Sequence, residues 1–572
     1  MRNNGWVMKG TGGRLVYETL KAHGVTCIFG MEDPIHVFHA VDRSFTRIVT
    51  VRDEKHGAIM AHGYAQATGR PGVCAATFGP GASNLCTGLL EALRSSVPVV
   101  ALVQDHPLAA KGRNASSELD HAAALSPFSK AVLRIDEASQ APSRIRHAFR
   151  LATTGRPGPV VVLCPTDAMA VQAEAEIVAD GFDHVPAWRP RAPQAGLEQA
   201  ARLMAQAKRP LIVAGGGTVI SGAFEEIRLL AERYQAPVAT TMTGKGAIAD
   251  AHPLAAGPLG TSTGGLYGRG KAANTLLAEA DVVFAMGTRT GQIITSNWTL
   301  PRPEATLIHL DIDPVEIGRN FATNVPLPGD VRDSLRDLLA FCERHAIARR
   351  GPDNGGRLAA MRQAWLDEIR PVATSDRSPM RPERVIAELE ATMPANTLVV
   401  ADASYSTGWV VSQMEVPAAG RFVISPRGTA SIGWGFPAAI GARLADPSRP
   451  VVCLTGDGGF GYVMNELETA ARYSVPVVVI VFNNGTLAFQ KHWEELAMGR
   501  AMDCSFLDID HAAVARALRA SGERVTMPGD LRAALARAFA ADGPYLIDAV
   551  IDPEAAAPIM GFDKPMAADA YH

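Results

Sequence analysis

The sequence predicts an α/β protein made of three doubly wound domains with parallel sheets. Short apolar runs alternate along the chain with amphipathic stretches of helical length, and many glycines fall where the two meet. This alternation is typical of βαβ units. The length of 572 residues is enough for three or four domains of about 150 residues each. The pattern and the length together favour several parallel-sheet domains over one.

The predicted strands are the apolar runs, whose composition suits strands buried on both faces. In the first third of the chain they cover residues 27–30, 47–51, 72–77, 97–104 and 159–164. In the middle third they cover residues 210–214, 236–240, 281–286 and 306–311. In the last third they cover residues 397–401, 451–455, 476–482 and 545–551.

Two segments with little periodicity divide the chain into three blocks. Residues 184–196 contain three prolines, and residues 345–380 pass through a polar, glycine-rich stretch. Both compositions are typical of linkers. The predicted domains are residues 8–183, 197–344 and 381–556, followed by a C-terminal tail at 557–572.

The first and third blocks share a sequence pattern. Residues 79–103 and 456–481 each begin with a Gly-rich turn, continue with a helix-length segment containing Glu, and end in a strand that includes SVPVV. Duplication of one domain would explain the similarity, and so would convergence on the ordinary βαβ arrangement. Under duplication the two blocks share a fold, and only the third carries Asp457 and the pair Asn483–Asn484.

Composition and charge exclude several classes of protein. Lys and Arg total 55 and Asp and Glu total 58, and the net charge of −3 gives no sign of nucleic-acid or anionic-membrane binding. The chain has no run of about 18 apolar residues, and its first residues lack the apolar core of a signal peptide. The seven cysteines show no CxxC spacing, which favours reduced thiols over disulfides or a zinc site. We therefore expect a cytoplasmic protein.

The strongest functional motif is CLTGDGGF, which follows a predicted strand and opens a helix. Gly456, Gly458 and Gly459 allow backbone N–H groups to approach a phosphate closely, and Asp457 supplies a carboxylate. One helix and one strand later comes Asn484, and the ends of neighbouring parallel strands lie at the same edge of a sheet. Carboxylate, amide and phosphate oxygens suit Mg²⁺. The motif therefore predicts a site for a diphosphate and a magnesium ion.

Residues 456–461 also fit G-x-G-x-x-G, the fingerprint of dinucleotide binding. That fingerprint requires an acidic residue after the second strand, where this chain has Asn483 and Asn484. The carboxylate of Asp457 would also repel a pyrophosphate that had no metal beside it. We therefore favour the metal–diphosphate site over a nicotinamide oxidoreductase and over a purely structural turn.

The GDG and NN segments together resemble the thiamine diphosphate motif, and nearly the whole chain resembles the acetolactate synthase, pyruvate oxidase and benzoylformate decarboxylase superfamily. The resemblance implies a pyrimidine-binding, a central and a diphosphate-binding domain. It implies Asp457 and Asn484 as side-chain ligands of Mg²⁺, and the carbonyl of Thr486 as a further ligand. Relatives use the central block, here with glycines at 212–222 and 287–291, for FAD, ADP or nothing, and the sequence leaves that choice open.

Glu54 follows a predicted strand and starts a helix, where an acidic residue is ordinarily stabilised by the helix dipole. Its segment, VRDEKHGAIMAHGYAQATG, resembles the family's RHEQGAAHMADGYARATG. There the Glu hydrogen-bonds N1′ of the aminopyrimidine, and the resemblance implies the same catalytic role for Glu54. Residues 426–442 resemble GLGTMGFGLPAAIGA, which implies that Ala430 offers a carbonyl to the 4′-amino group and that Ile432 wedges between the cofactor rings. A buried strand–helix turn would explain Ile432 equally well.

Glu54 and Asp457 fall in different blocks, and in this superfamily these residues come from different subunits. The resemblance therefore implies a homodimer or a dimer of dimers with active sites between subunits. It implies decarboxylation of a 2-oxo acid followed by carboligation, as in acetolactate synthase. The alternatives are a simple 2-oxo acid decarboxylase, a lyase acting on a 2-hydroxyacyl-CoA or a hydroxyketone, and, more remotely, a non-catalytic paralogue.

Several residues on the expected substrate side depart from the family pattern. Asp33 stands where relatives have glycine, Phe78 where acetolactate synthases have Ser, and Ser117 where they have Gln. Gln490 replaces Glu, Leu or Val and is a candidate catalytic residue, although an exposed helical position is an equal alternative. The remaining candidates are Phe489 and Trp493 for substrate contact, and His106 and His121 for proton transfer, although a structural role is the ordinary one for a single histidine.

Overall fold

The computed structural model describes residues 5–179, 181–348 and 354–561. Three parallel six-stranded sheets, each flanked by helices, follow one another along these residues. This confirms the predicted α/β class. The predicted tail from residue 562 onward lies outside the described residues. No described helix combines the length and the apolar character needed to cross a membrane.

The N-terminal domain contains a sheet with strand order β3-β2-β4-β5-β7-β6 and a separate antiparallel pair, β1 with β8. Its strands are β1 (Trp6–Thr11), β2 (Cys27–Gly30), β3 (Arg47–Thr50), β4 (Gly72–Ala76), β5 (Val99–Asp105), β6 (Ala131–Arg134), β7 (Val160–Pro165) and β8 (Gln172–Ile177). Its helices are α1 (Gly12–Ala22), α2 (Ile35–Ala40), α3 (Glu54–Thr68), α4 (Pro80–Asn84), α5 (Cys86–Ser95), α6 (His121–Leu125), α7 (Ala141–Thr153) and α8 (Thr166–Ala170).

The central domain has the strand order β11-β10-β9-β12-β13-β14. Its strands are β9 (Pro210–Ala214), β10 (Val238–Thr240), β11 (Ala255–Pro258), β12 (Val282–Met286), β13 (Thr306–Asp311) and β14 (Val325–Pro328). Its helices are α9 (Gln194–Gln206), α10 (Gly216–Ser221), α11 (Phe224–Tyr234), α12 (Lys271–Glu279) and α13 (Val331–Arg344).

A helix of 19 residues, α14 (Gly355–Ala373), lies within the predicted linker 345–380. It buries Leu358, Trp365 and Ile369, which share one helical face, and the Trp365 indole N–H donates to the carbonyl of Tyr267 at 3.1 Å. The linker prediction was therefore wrong for this part. The apolar residues of this helix are enough for one packed face.

The C-terminal domain has the strand order β16-β15-β17-β18-β20-β19. Its strands are β15 (Leu398–Ala401), β16 (Val423–Ile424), β17 (Val451–Gly456), β18 (Val477–Asn483), β19 (Ser521–Val525) and β20 (Tyr545–Val550). Its helices are α15 (Pro382–Thr392), α16 (Tyr405–Gln413), α17 (Gly435–Ala445), α18 (Asp457–Gly461), α19 (Glu466–Arg472), α20 (Ala488–Met498), α21 (His511–Ala517) and α22 (Leu531–Phe539).

The first and last sheets have the same topology. Numbered from its own first strand, each reads 2-1-3-4-6-5, whereas the central sheet reads 3-2-1-4-5-6. A shared order over all six strands is what domain duplication predicts, and convergence on a single βαβ unit does not require it.

The N-terminal and C-terminal domains share one apolar core, which continues from residues of α3 into residues of α17. These two helices pack closely because glycines lie at their crossing. A Cβ at Gly63 would run into the carbonyl oxygen of Ala438, and one at Gly441 into that of Met60. Glu54 starts α3, and the loop with Ala430 and Ile432 leads into α17, so this packing fixes both elements.

Candidate active site

The structure brings together the two segments of the predicted metal–diphosphate site, 456–459 and 484–486, here called the diphosphate clasp. β17 and β18 pair in parallel, so both segments emerge at one sheet edge. The Asp457 carboxylate accepts an N–H bond from Gly458 at 2.8 Å and another from Gly485 at 2.7 Å. The second bond joins the GDGG turn to the loop that holds Asn484 and Thr486.

The donor set of the clasp fits a magnesium ion. Asp457 is buried, and burial raises the pKa of its carboxyl, although the N–H bonds from Gly458 and Gly485 act in the opposite sense. A buried carboxylate with a raised pKa gains from a nearby cation. The amide oxygen of Asn484 accepts the Thr486 N–H at 3.3 Å and lies in the adjoining loop. Carboxylate, amide and backbone oxygens are the hard ligands that Mg²⁺ prefers.

Asp402 fixes the loop before α17. No sequence motif had identified this residue as a candidate. Its buried carboxylate accepts N–H bonds from residues 433–435 at 3.0 to 3.1 Å and the hydroxyl of Thr455 at 2.8 Å. Ala430, three residues before Gly433, has φ +56°, a left-handed conformation that glycine adopts without strain. Asp402 directly follows a predicted strand at the same sheet edge as Asp457. This position at the end of a strand could have identified it from the sequence.

Glu54 is buried at the first position of α3. Its Oε2 accepts the side-chain N–H of Asn84 at 3.0 Å. Its Oε1 lies beside Gly81, where an added Cβ would come within 2.9 Å of it. Asp53 caps the helix by accepting the N–H of Lys55 at 2.8 Å. The carboxylate is therefore held in one place by a donor, a close backbone turn and a capped helix.

Four of the substrate-side candidates gather at the turn of Gly79. The rings of Phe78 and His106 lie 4.5 Å apart between centroids, and His121 follows at 6.3 Å from His106. Ser117 packs on the same turn, since a Cβ at Gly79 would lie 2.7 Å from its carbonyl oxygen. This cluster adjoins Glu54 through the short 79–81 turn.

Within the cluster, both ring nitrogens of His121 have partners. Nε2 accepts the N–H of Gly79 at 2.9 Å, and Nδ1 lies 2.8 Å from a carboxylate oxygen of Asp105. This arrangement is that of a neutral imidazole, and burial, together with the charge of Lys111, lowers the pKa of His121. The ring orients the Gly79 turn and has no nitrogen left for a substrate. His106 differs, because its buried Nε2 has no hydrogen-bond partner among the described residues.

The other substrate-side candidates are more dispersed. Asp33 accepts the N–H of Ile35, the first residue of α2, at 3.0 Å. On α20, Phe489 packs edge-on against Tyr405 at 5.7 Å between ring centroids, and Trp493 is partly buried. Gln490 is exposed and donates to Glu494 at 2.6 Å. In the single chain it therefore occupies the exposed helical position that the sequence left open.

Among the described residues, no direct contact joins Glu54 to the diphosphate clasp. The segment before α3 instead faces α19: the N–H of Arg52 donates to Glu466, and the N–H of Thr50 to the Tyr473 hydroxyl, each at 2.9 Å. Across residues 5–179, 181–348 and 354–561, no hydrogen bond or ion pair joins Glu54 to the diphosphate clasp.

A cavity of about 820 Å³ lies where the three domains adjoin. Gly216 and Gly217 line it after β9, and Arg289 lines it after β12. Burial and the neighbouring Arg156 and Arg94 lower the pKa of Arg289 to about 10, although Glu316 and Asp311 act in the opposite direction. This wall of the cavity suits an anionic ligand.

Comparison with known proteins identifies the family. The N-terminal, central and C-terminal domain models of the thiamine pyrophosphate enzymes match residues 10–124, 197–338 and 402–549. A probable acetolactate synthase large subunit from Methanocaldococcus jannaschii is 35% identical, with 96% of this chain and 93% of the relative covered. An acetolactate synthase from Arthrospira platensis is 36% identical, with 86% and 85% covered, and the isozyme 2 large subunit from Escherichia coli K12 is 30% identical, with 95% of each covered. The sequence resemblance is thus confirmed, and the chain belongs to the thiamine pyrophosphate enzyme family, among its acetolactate synthase-like members.

Proposed function

We propose that this protein uses thiamine diphosphate and Mg²⁺ to decarboxylate a 2-oxo acid and to join the remaining fragment to a second carbonyl compound. The observation that carries the proposal is the convergence of Asp457 with the 484–486 loop at one sheet edge. The relatives named acetolactate synthase support the substrate class.

In this proposal the diphosphate clasp binds the charged end of the cofactor. The side chains of Asp457 and Asn484 and the carbonyl of Thr486 would hold Mg²⁺, and the N–H groups of the glycine turn would approach the diphosphate. Thiamine diphosphate, when bound, supplies an electron sink for the bond that breaks beside the carbonyl.

Other residues of the chain act on the aminopyrimidine and on the substrate. Glu54 holds a proton at N1′, with Asn84 fixing the direction of its carboxylate. The carbonyl of Ala430 accepts from the 4′-amino group, and Ile432 separates the two cofactor rings. Of the two histidines in the cluster at Gly79, His106, beside Phe78, is the one whose Nε2 is left for the substrate.

We infer that the active enzyme is at least a homodimer, because the residues that correspond to Glu54 and Asp457 come from different subunits in the family that this chain resembles. Large apolar side chains are exposed beside the diphosphate clasp, and Leu507 has 86% of its surface accessible. Leu487 and Phe506, also exposed, lie against Gly458. A second copy that carries Glu54 to this surface would cover them.

The central cavity supports a nucleotide with a diphosphate group as a second ligand, of the FAD or ADP class. The strand order 3-2-1-4-5-6 places a switch point between β9 and β12, which is where dinucleotides bind in such sheets. Arg289 offers positive charge, and Asp311, whose pKa burial raises to about 7, lines the same cavity. In a thermal-shift assay with FAD and ADP added separately, the nucleotide that binds the cavity should raise the Tm, and this should distinguish the two.

A screen of 2-oxo acids, alone and in pairs, tests the proposed reaction. With thiamine diphosphate and Mg²⁺ we expect release of CO₂ and a carboligation product detected by mass. Aldehyde without a coupled product would indicate a simple decarboxylase, and cleavage of a 2-hydroxyacyl-CoA without CO₂ release would indicate the lyase. Cofactor binding without turnover of any of these would indicate the non-catalytic paralogue. The cofactor with Mg²⁺ should also raise thermal stability, whereas NADH should leave it unchanged.

A further inference from the structure

A buried glutamate of the N-terminal domain, Glu91, binds the loop that precedes α17 in the C-terminal domain. Glu91 lies on α5 and has 0% of its surface exposed. Its Oε1 accepts the N–H of Gly428 at 2.6 Å and the Ser95 hydroxyl at 2.7 Å. Its Oε2 accepts the N–H and the hydroxyl of Thr429, both at 2.7 Å, and the N–H of Ala430 at 3.1 Å.

Three consecutive backbone N–H groups of this loop therefore point at one carboxylate. Such a concave run of donors is a general way to bind an anion, and it forms where the backbone enters the left-handed region. Ala430 has φ +56°. A buried carboxylate is costly unless its oxygens are fully hydrogen-bonded, and both oxygens of Glu91 are. The arrangement specifies the loop conformation and does more than fill space.

The same loop is held from its other end by Asp402, which accepts the N–H groups of residues 433–435. Two buried carboxylates, one from each domain, thus fix the backbone on both sides of Ile432. The peptide that donates the N–H of Ala430 to Glu91 adjoins the carbonyl proposed to meet the 4′-amino group. A small rotation of the loop would turn that carbonyl away.

We propose that Glu91 is a positioning residue, which presents the Ala430 carbonyl and the Ile432 side chain to the aminopyrimidine from across the domain boundary. This inference rests on the proposed function. It predicts that loss of the carboxylate harms the activation of the cofactor much more than its binding, because the diphosphate clasp lies elsewhere.

The main test compares Glu91→Gln with Ser95→Ala, which removes one donor to Glu91 but none to the loop. In the protein without cofactor, amide hydrogen exchange of residues 428–430 should accelerate in Glu91→Gln and remain near wild type in Ser95→Ala. With thiamine diphosphate and Mg²⁺ bound, C2–H/D exchange of the cofactor should fall on the order of 10- to 100-fold in Glu91→Gln. The Kd for the cofactor should change by only a few-fold.

Wild-type amide exchange and wild-type C2 exchange in a folded Glu91→Gln protein would overturn the proposal. If Glu91→Gln does not fold, Thr429→Ala provides the test, since Thr429 is exposed and its hydroxyl donates to Glu91. We expect a smaller loss of C2 exchange with an unchanged Tm, and an unchanged rate would overturn the proposal. A wild-type protein that fails to bind thiamine diphosphate would instead contradict the proposed function.

Discussion

Asp402, Asp457 and Glu91 are buried carboxylates that surround the candidate active site with different partners. Burial raises the pKa of Asp402 and that of Asp457. Burial acts in the same direction on Glu91, but His62 and the hydrogen bonds from Ser95 and Thr429 outweigh it and lower its pKa. Asp402 and Glu91 each bind three backbone N–H groups of one loop. Asp457 lies at the sheet edge beside other oxygen atoms that could bind a metal. It is the carboxylate best placed to gain from a cation.

Asp457→Ala should abolish Mg²⁺-dependent binding of thiamine diphosphate while the apo-protein still folds. The side chain lies at the sheet edge and belongs to none of the apolar clusters of the described residues, so its removal takes away a ligand and two N–H acceptors but no apolar packing. Isothermal calorimetry with and without Mg²⁺ measures the effect. Thr486→Ser is the matched control, because Thr486 is proposed to act through its carbonyl. Tight binding by the Asp457→Ala protein would rule out the metal role.

Glu54→Gln should impair activation of the cofactor far more than its binding. Glutamine keeps the size of the side chain and can still bond Asn84, but it cannot share an acidic proton with N1′. General acid–base groups contribute about 10²- to 10⁴-fold, and we expect C2–H/D exchange of the bound cofactor to fall within that range. Asp53→Asn, which keeps the helix cap, should exchange at the wild-type rate. An unimpaired Glu54→Gln protein would show that another group activates the cofactor.

At the residue scale, the sequence predicts functional side chains when they belong to a recognisable motif. The convergence of Asp457 with the 484–486 loop follows from parallel-strand geometry alone. Glu91 could not be found in this way, because its partners are backbone N–H groups more than 300 positions away. His121 shows the opposite error: it lies near motifs, but only the structure reveals that Gly79 and Asp105 occupy both nitrogens.

At the scale of elements, continuous apolar runs identified the central strands well, because helices bury both faces of them. Two short outer strands were not recognised. β6 has only three apolar residues, and β16 is only two residues long. β1 and β8 pair antiparallel in a separate sheet, and their exposed faces break the apolar pattern. α14 was missed because its apolar residues lie around much of the helix while only Leu358, Trp365 and Ile369 are buried, so no clear apolar stripe marks it in the sequence.

Gly441→Ala should destabilise the protein by forcing α3 and α17 apart. The added Cβ would collide with the carbonyl oxygen of Met60, and overpacking of a close contact typically costs about 1–3 kcal/mol. The midpoint of thermal unfolding should fall relative to wild type. Gly529→Ala is the control, since no atom lies within 4 Å of a Cβ at that position. Equal midpoints for the two variants would mean that the helices can separate without cost.

At the scale of the whole molecule, Glu54 and the diphosphate clasp lie in different domains of the chain. The N-terminal and C-terminal domains share one core through α3 and α17, yet within the described parts of the chain Glu54 contacts Asn84 and Gly81 and not the diphosphate clasp. The clasp itself is bordered by exposed Leu487, Phe506 and Leu507. The family resemblance already placed Glu54 and Asp457 in different blocks, whereas the exposed apolar side chains beside the clasp could not be predicted, because they depend on how the loops pack.

Mixing two inactive variants tests whether a second copy completes the site. A heterodimer of Glu54→Gln and Asp457→Ala chains would contain one site with both lesions and one site with neither. Random reassortment of a symmetric dimer makes half of the dimers mixed, so activity should recover to about a quarter of wild type. Native mass spectrometry of differently tagged chains measures how many heterodimers form. A mixture of Asp457→Ala with Asp457→Asn should stay inactive, because every site then lacks the carboxylate. Verified heterodimers without activity would mean that Glu54 and the clasp serve the same site within one chain, and that the surface beside the clasp has another use.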